Sequence, residues 1–560
     1  MQPAALWIVG MLFWGSIITS LISFSTDRQM LSLLKAHWKP MLPCVVFVLL
    51  WRIPTNGEFF HGTEYEDSYI YTVAGRQMAE HRNIQPNGTV LPYSISVCAV
   101  GSLRSCRQSA NYPEHLIGYP YVLSVASTLF GYRPSIGSIL NIASACLVDV
   151  LTFLLCMEMG ADVIAATSAA LIFAITPAFA VWGLETSAEP FSCGCLTLTL
   201  WWCVRCAFAQ SDNGPGWHEI LRWCAFTSIL LLSLTVKREN ILLIIVLPLI
   251  AVLAHLRDRH ASRSYSWSSW RVVVSAAVGL ILSFHMGTLQ TMNSETALLR
   301  RFPLTGGELV RLVTAFVQSF SIVQWYGGGV ILVLIGGIVA WRRKGPQFLP
   351  LVLFVAFVLL YAFHIRSYYE MSSGSTDPRA ALRFSMTMMS LWSMLGGFGL
   401  ASFFRWLRRT QAFRDHTAVS GWGLGCAGIA LLVLSYSATK NLSDDAVEDE
   451  FRMRIEPSIT AVEIAVQDRT KEDYILTLEP LIPQMFAPTS VNVISFDELD
   501  ARVMNELGTE DGLVRVLYVD EEIHRTPADA ERYKSQLAYL NQRSRRPLIS
   551  NAVFAVVSVH

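Results

Sequence analysis

Charge is scarce in this sequence. Lys, Arg, Asp and Glu make up 15% of its 560 residues, well below the ~25% of ordinary soluble domains. Its 43 basic and 43 acidic residues cancel, so there is no net positive field to gather nucleic acid. The 11 cysteines contain no CxxC…CxxC pattern, which removes the usual zinc frameworks. Cys146, Cys156, Cys193, Cys195, Cys203, Cys224 and Cys426 sit inside apolar runs, where thiols pack as small hydrophobes. No heptad is long enough for a coiled coil, and no internal repeat of the kind common in transporters is visible.

What the chain has instead is long apolar runs. Hydrophobic residues make up 52% of it. A helix crossing a bilayer needs roughly 20 mostly apolar residues, because lipid satisfies no loose backbone groups. Twelve candidate spans lie at about 4–24, 38–53, 135–157, 162–181, 189–208, 222–236, 239–255, 271–290, 326–341, 347–364, 383–404 and 418–437. The first lacks a basic n-region and a small-residue cleavage site, so it reads as a retained helix. The loops 25–37, 209–221, 256–270, 342–346 and 405–417 are short and mostly basic, with Arg28, Lys35, Arg257, Arg259, Arg342, Arg343, Lys344, Arg405 and Arg408 among their residues. The positive-inside rule places them in the cytoplasm. The longer, mixed-charge loops 54–134, 291–325 and 365–382 then lie outside, with both termini.

The tail is different in kind. Residues 1–437 read as the transmembrane domain and 438–560 as a small soluble α/β domain outside the membrane. Strand-like runs occur at Tyr474–Leu478, Val491–Phe496, Leu513–Val519 and Ala552–Val557. Helical patterns lie between them, one opening at Thr526-Pro527. No nucleotide-binding glycine fingerprint is present there.

The outer loops carry the chemistry. Glu64, Glu66 and Asp67 crowd the start of loop 54–134, just before a helical pattern over 68–80. Crowded carboxylates repel, so one is easier to protonate, which suits a general base or a metal ligand; a solvated acidic helix cap is the plainer alternative. The loop ends with Glu114-His115-Leu116-Ile117-Gly118-Tyr119-Pro120 and an apolar stretch to Phe130-Gly131, short for a span and suited to the interface plane. The next outer turn holds Glu185 and Glu189, and the one after it is Lys237-Arg238-Glu239-Asn240. Two cations outside break the positive-inside trend and suit an anionic ligand such as a lipid phosphate, or a pair with Glu239. Arg366, Arg379 and Arg383 add cations around loop 365–382. Acids and cations from distant segments thus converge on one membrane face. A reaction between a polyprenyl-phosphate sugar and an acceptor hydroxyl needs that arrangement: a carboxylate takes the proton and cations hold the leaving phosphate.

At these residues the sequence resembles the GT-C superfamily of membrane glycosyltransferases. The likeness is to the branch with mycobacterial cell-wall arabinosyltransferases, protein O-mannosyltransferases and lipid A aminoarabinose transferases. Their acidic pair before an aromatic helix matches Glu66-Asp67-Ser68-Tyr69-Ile70. Their Gly-Tyr element resembles Gly118-Tyr119, and their Gly-Leu-Glu-Thr turn matches Gly183-Leu184-Glu185-Thr186. Lys237-Arg238-Glu239-Asn240 matches the family's Arg-Pro-Glu-Gly turn only loosely.

The resemblance implies a glycosyltransferase with a GT-C-like fold. It would take a polyprenyl-phosphate sugar, act on a glycan, lipid or protein acceptor, and sit in a bacterial plasma membrane with its site outside. Asp67 or Glu66 would be the base and Glu185 a supporting acid. Tyr69, His115, Tyr119, Lys237, Arg238, Arg366, Arg379 and Arg383 would contact substrate. A divalent cation at Glu66 and Asp67 is compatible with the family. The rival is a transporter or flippase of lipid-linked sugars, favoured by Asp149 inside the span 135–157. Cys98 and Cys106, the two cysteines in outer polar sequence, are expected to form a disulfide.

Overall fold

The computed structural model describes residues 2–26, 28–52, 66–80, 94–95, 110–111, 116–183, 186–208, 216–248, 251, 268–285, 310, 313–314, 317–318, 320, 322–342, 346–371, 385–409, 417–446, 459–460, 462–463, 473–477, 481–486, 491–495, 513–517, 535, 549–551 and 554–558. Most of these are helical. The helices are α1 (Gln2–Thr26), α2 (Arg28–Arg52), α3 (Glu66–Ala79), α4 (Gly118–Phe130), α5 (Ile136–Glu158), α6 (Val163–Ile175), α7 (Pro177–Trp182), α8 (Ala188–Phe208) and α9 (Gly216–Val236). A 3-10 turn, Arg238–Ile241, leads into a helix over 242–248. Then come α10 (Ser268–His285), α11 (Val330–Arg342), α12 (Leu349–Met371), α13 (Met389–Arg409), α14 (Thr417–Ala446) and the short α15 (Leu481–Phe486).

Among the described residues four helices are long and apolar enough to cross a membrane: Trp7–Ser25, Leu31–Arg52, Ile136–Glu158 and Trp217–Val236. Shorter apolar helices, such as Val163–Ile175 and Val330–Arg342, accompany them. The outward faces are apolar too. On α1 the exposed residues Trp7, Met11, Trp14, Ile18 and Leu21 recur at helical spacing, as do Ile331, Leu334, Ile338 and Trp341 on α11. An apolar stripe turned away from the core is what lipid requires and water does not tolerate. This is an integral membrane protein.

Three expectations need correction. Residues 28–37, read as part of a basic loop with Arg28 and Lys35, belong to α2, which runs on through Pro40 and Pro43. Prolines inside membrane helices are tolerated where neighbours satisfy the freed carbonyls. Likewise 365–371 continues α12 rather than opening a loop. The run 162–181 is two helices, because Thr176 is extended (ψ 118°) and Pro177 starts α7. That break sits against the end of α2. Arg52, fully buried, donates from Nη1 to the Ala174 carbonyl at 3.3 Å and from Nη2 to the Phe179 carbonyl at 3.4 Å. Its guanidinium lies over the rings of Phe173 and Phe179.

In the core, α1 packs on α9, α5 on α6 and α8, α8 on α9, and α13 on both α6 and α11. The tail contributes a five-stranded sheet, from β3 (Asp473–Thr477), β4 (Val491–Ser495), β5 (Leu513–Leu517), β6 (Ile549–Asn551) and β7 (Phe554–Ser558), in the order β4-β3-β5-β7-β6. β3 is parallel to β4 and β5, while β7 is antiparallel to β5 and β6. A two-stranded antiparallel pair, β1 (Ser94–Ile95) and β2 (Ala110–Asn111), lies within loop 54–134. Thr526 and Pro527 lie outside the described residues.

Candidate active site

α3 opens at Glu66 and Asp67, where a helix N-terminus favours negative charge. The helix is wrapped on two sides. Tyr71 belongs to the main core, and its ring meets that of Tyr119 on α4 edge-on, with centroids 5.3 Å apart. Tyr69, Ile70, Val73 and Ala74 form a separate buried cluster with Met485 of α15. Helix periodicity puts the two positions at different places around α3. Asp67 stands one turn before Tyr71 and two before Ala74, whereas Glu66 stands one turn before Ile70 and two before Val73. The Asp67 position therefore borders the face turned to α4, and the Glu66 position shares the face covered by α15.

The start of α4 is the meeting point of three further helices, near their ends. Gly118 presses so closely on Thr235, near the end of α9, that an added Cβ would lie 2.5 Å from its carbonyl oxygen. Tyr119 is wholly buried; its hydroxyl donates to Asn141 Oδ1 on α5 at 3.4 Å, and its ring packs on Phe191 of α8. Asn141 in turn donates to the Ser187 carbonyl at 3.2 Å. A Cβ on Gly137 would overlap Thr186. Lys237, in extended conformation past the end of α9, reaches Glu189 in the first turn of α8, Nζ to Oε1 at 2.8 Å. Both side chains are buried, at 9% and 2% relative exposure. Asn240 donates to the Ser233 carbonyl at 2.8 Å and to Ser192 Oγ at 2.9 Å, closing the turn on α8.

Three segments singled out in the sequence, beginning at Gly118, Gly183 and Lys237, are thus gathered around one set of helix ends, linked through Asn141 of α5, Thr235 of α9 and the first turns of α8. α3, with its acidic first turn, leans on the same place through Tyr71. Among the described residues Lys237 forms its ion pair with Glu189. The supporting residues Asn141, Ser187, Phe191 and Ser192 carried no signal, because they sit in or beside apolar runs. Other candidates are placed less fully. Glu66, Asp67, Arg238 and Arg366 are described as backbone in helical segments. Glu185, His115, Arg379, Arg383, Cys98 and Cys106 lie outside the described residues. Among the described residues no three His, Cys, Asp or Glu side chains gather as a metal site.

The outer side of α3 is pinned as well. Arg76 donates from Nη1 to the Gln484 carbonyl at 2.7 Å and from Nε to Glu80 at 2.9 Å, and its guanidinium lies 4.5 Å from the Tyr132 ring centroid. The Tyr132 hydroxyl donates to the Met485 carbonyl at 2.8 Å. Burial pushes this phenol above its ordinary range, against the pull of the Arg76 cation, so it stays a donor through neutral pH.

The architecture has known counterparts. The chain superposes on ArnT from Cupriavidus metallidurans bound to undecaprenyl phosphate with a TM-score of 0.56 at 13% identity, covering 94% of this chain and 98% of that one. For the apo state of ArnT the TM-score is 0.55 at 13% identity, over 92% and 97% of the two chains. An oligosaccharyltransferase from Archaeoglobus fulgidus, tethered with an acceptor peptide, gives a TM-score of 0.48 at 11% identity over 82% of this chain; the match spans 65% of that protein's length. No protein-family model matches the chain, and no curated protein matches it. At such identities the likeness to ArnT establishes the fold alone.

Proposed function

We propose that this GT-C-fold chain is a glycosyltransferase that moves a sugar from a polyprenyl-phosphate donor to an acceptor hydroxyl at the outer membrane–water boundary. The observation that carries the reading is the convergence of Gly118-Tyr119, Thr186-Ser187 and Lys237–Asn240 beside the helix that opens with Glu66 and Asp67. That ArnT is known bound to undecaprenyl phosphate supports a lipid-linked donor. In the reaction a carboxylate takes the acceptor's hydroxyl proton while that oxygen attacks the anomeric carbon. The bond from that carbon to the phosphate oxygen breaks, and polyprenyl phosphate leaves with the electron pair.

Asp67 is the favoured base, because its place on α3 borders the Tyr71–Tyr119 side, whereas the Glu66 place faces α15. Glu185 is a supporting acid. Arg238, Arg366, Arg379 and Arg383 receive the leaving phosphate, with His115 near the acceptor. The Lys237 ammonium, already held by Glu189, contributes its charge from one fixed point. Tyr69 and Tyr119 are buried in packing contacts, so their part is to shape the site. A divalent cation would find carboxylates at Glu66 and Asp67, and a chelator titration tests for it. The twelve-span topology, with loops 54–134 and 365–382 and an α/β domain over 438–560 outside the cytoplasm, belongs to this reading, as does a Cys98–Cys106 disulfide. The basic loops support the orientation.

One observation favours transport of lipid-linked sugars instead: Asp149 is buried within a span, and its Oδ1 has no hydrogen-bond partner among the described residues. Transfer assays in proteoliposomes carrying a polyprenyl-phosphate sugar separate the two. For an enzyme, Asp67→Asn lowers turnover by roughly 10²–10⁴-fold, and Asp149→Asn leaves the chemical step in place. Full transfer by Asp67→Asn and Glu66→Gln alike would remove both acids from the chemistry.

A further inference from the structure

α3 is only 14 residues long, and helices of that length are marginal in water unless both faces are packed. One face has α4. The other is covered by a segment more than four hundred positions later in the chain. Met485 is 1% exposed and closes a cluster with Tyr69, Ile70, Val73 and Ala74. Around it, two side chains from either flank of α4 grip the same stretch of main chain. Arg76 donates to the Gln484 carbonyl at 2.7 Å, with Met485 O at 3.4 Å, and Tyr132 donates to Met485 O at 2.8 Å. The guanidinium stacked on the Tyr132 ring ties the two donors together. A carbonyl that accepts from a cation and a phenol is a directional anchor, whereas apolar contact alone permits sliding.

We propose that α15 (Leu481–Phe486) is a clamp on α3, and that Arg76, Tyr132 and Met485 are positioning residues for the transfer reaction. They touch neither donor nor acceptor. They fix the helix whose first turn carries Glu66 and Asp67, so the tail sets the geometry of the acids from outside the membrane domain. Without the clamp, the apolar face of Tyr69, Ile70 and Val73 is left bare and α3 frays, beginning at its acidic end. The catalytic half of this inference rests on the proposed function; the structural half does not.

Backbone amide exchange of the 66–79 segment, measured on the full chain in lipid nanodiscs beside transfer kinetics, tests both halves. For Met485→Ala we expect exchange in that segment to rise by ~10-fold or more while the membrane helices keep their protection. In the same variant kcat falls by ~10-fold with donor KM held within about twofold, the signature of a lost alignment instead of lost binding. Met485→Leu, which keeps the apolar volume, recovers most of kcat. Tyr132→Phe, which keeps the ring and removes one donor, gives a smaller change of the same pattern and stands in should Met485→Ala not fold. Unchanged exchange over 66–79 in both variants overturns the clamp. Raised exchange with undiminished kcat overturns the positioning role and leaves the glycosyltransferase reading intact. A wild-type protein that transfers no sugar sinks that reading, and exchange alone then decides whether α15 clamps α3.

Discussion

Where α11 meets α13, backbone touches backbone; where α4, α5, α8 and α9 meet, one such approach, Gly118 on the Thr235 carbonyl, is joined by polar side chains bonded to one another. At the first junction a Cβ on Gly336 would overlap the Leu395 carbonyl, and one on Gly399 would overlap the carbonyl of Leu332. On the opposite side of α13, Gly397 leaves room for Ala165 and Ala169 of α6, with an added Cβ only 2.6 Å from the Ala169 nitrogen. Lipid tails are as apolar as leucine, so helices in a membrane associate through such close packing more than through water's exclusion. At the second junction an ammonium and a carboxylate are buried together, with amides and hydroxyls around them. Buried ion pairs are poor stability devices, since apolar residues of the same volume often do as well or better. The seam explains itself by packing. The polar junction has no such account, and the proposed transfer function would supply one.

The comparison breaks first at the seam. Gly399→Val puts three carbons where a neighbouring carbonyl already sits, and no rotamer avoids the overlap because the Cβ itself is at fault. We expect no monodisperse folded protein, read by size-exclusion of detergent-solubilised material. A folded, active Gly399→Val protein would show that α11 and α13 separate without harm, and the seam would lose its status as the packing centre.

At the polar junction the expected loss is smaller and of a different kind. Lys237→Met strands a buried carboxylate and should cost on the order of 3–5 kcal/mol, seen as a fall in melting temperature. Adding Glu189→Met removes the stranded charge and restores most of that stability. Transfer should not return with it, because the cation stays absent. If the double variant recovers both melting temperature and turnover, the pair is only structural, and the contrast with the seam collapses.

Much of this was legible in the residues. Four tail strands and the helix after Asp67 follow from pattern alone. The seam's glycines were plain to see, but a small residue does not name its partner. Lys237 shows why local reasoning misleads. Glu239 is nearer in sequence, yet α8 and α9 run antiparallel from the 209–215 connection, and Glu189 and Lys237 stand almost equally far from it. The hairpin, not the neighbourhood, sets that pair. The start of α2 was missed because the basic residues Arg28 and Lys35 mark a cytoplasmic loop and the end of a membrane helix alike. Asn141 was invisible because a single amide within an apolar run looks the same whether it is idle or holds a tyrosine.

Tyr119→Phe gives the finest cut between the two kinds of junction. It deletes one oxygen and keeps the ring against Tyr71 and Phe191. At the seam a change of comparable size is forbidden by sterics; here it leaves the packing whole. What is lost is the 3.4 Å bond to Asn141, long for a hydroxyl donor and so at the weaker end of the scale. The deficit in stability should be about 0.5–1.5 kcal/mol, a shift of a few degrees in melting temperature. Asn141 keeps its bond to the Ser187 carbonyl, which holds the turn before α8 in place, so turnover should fall only a few-fold. A drop as deep as that of Asp67→Asn would mean that the hydroxyl meets substrate, and Tyr119 would move from the frame of the site to its chemistry.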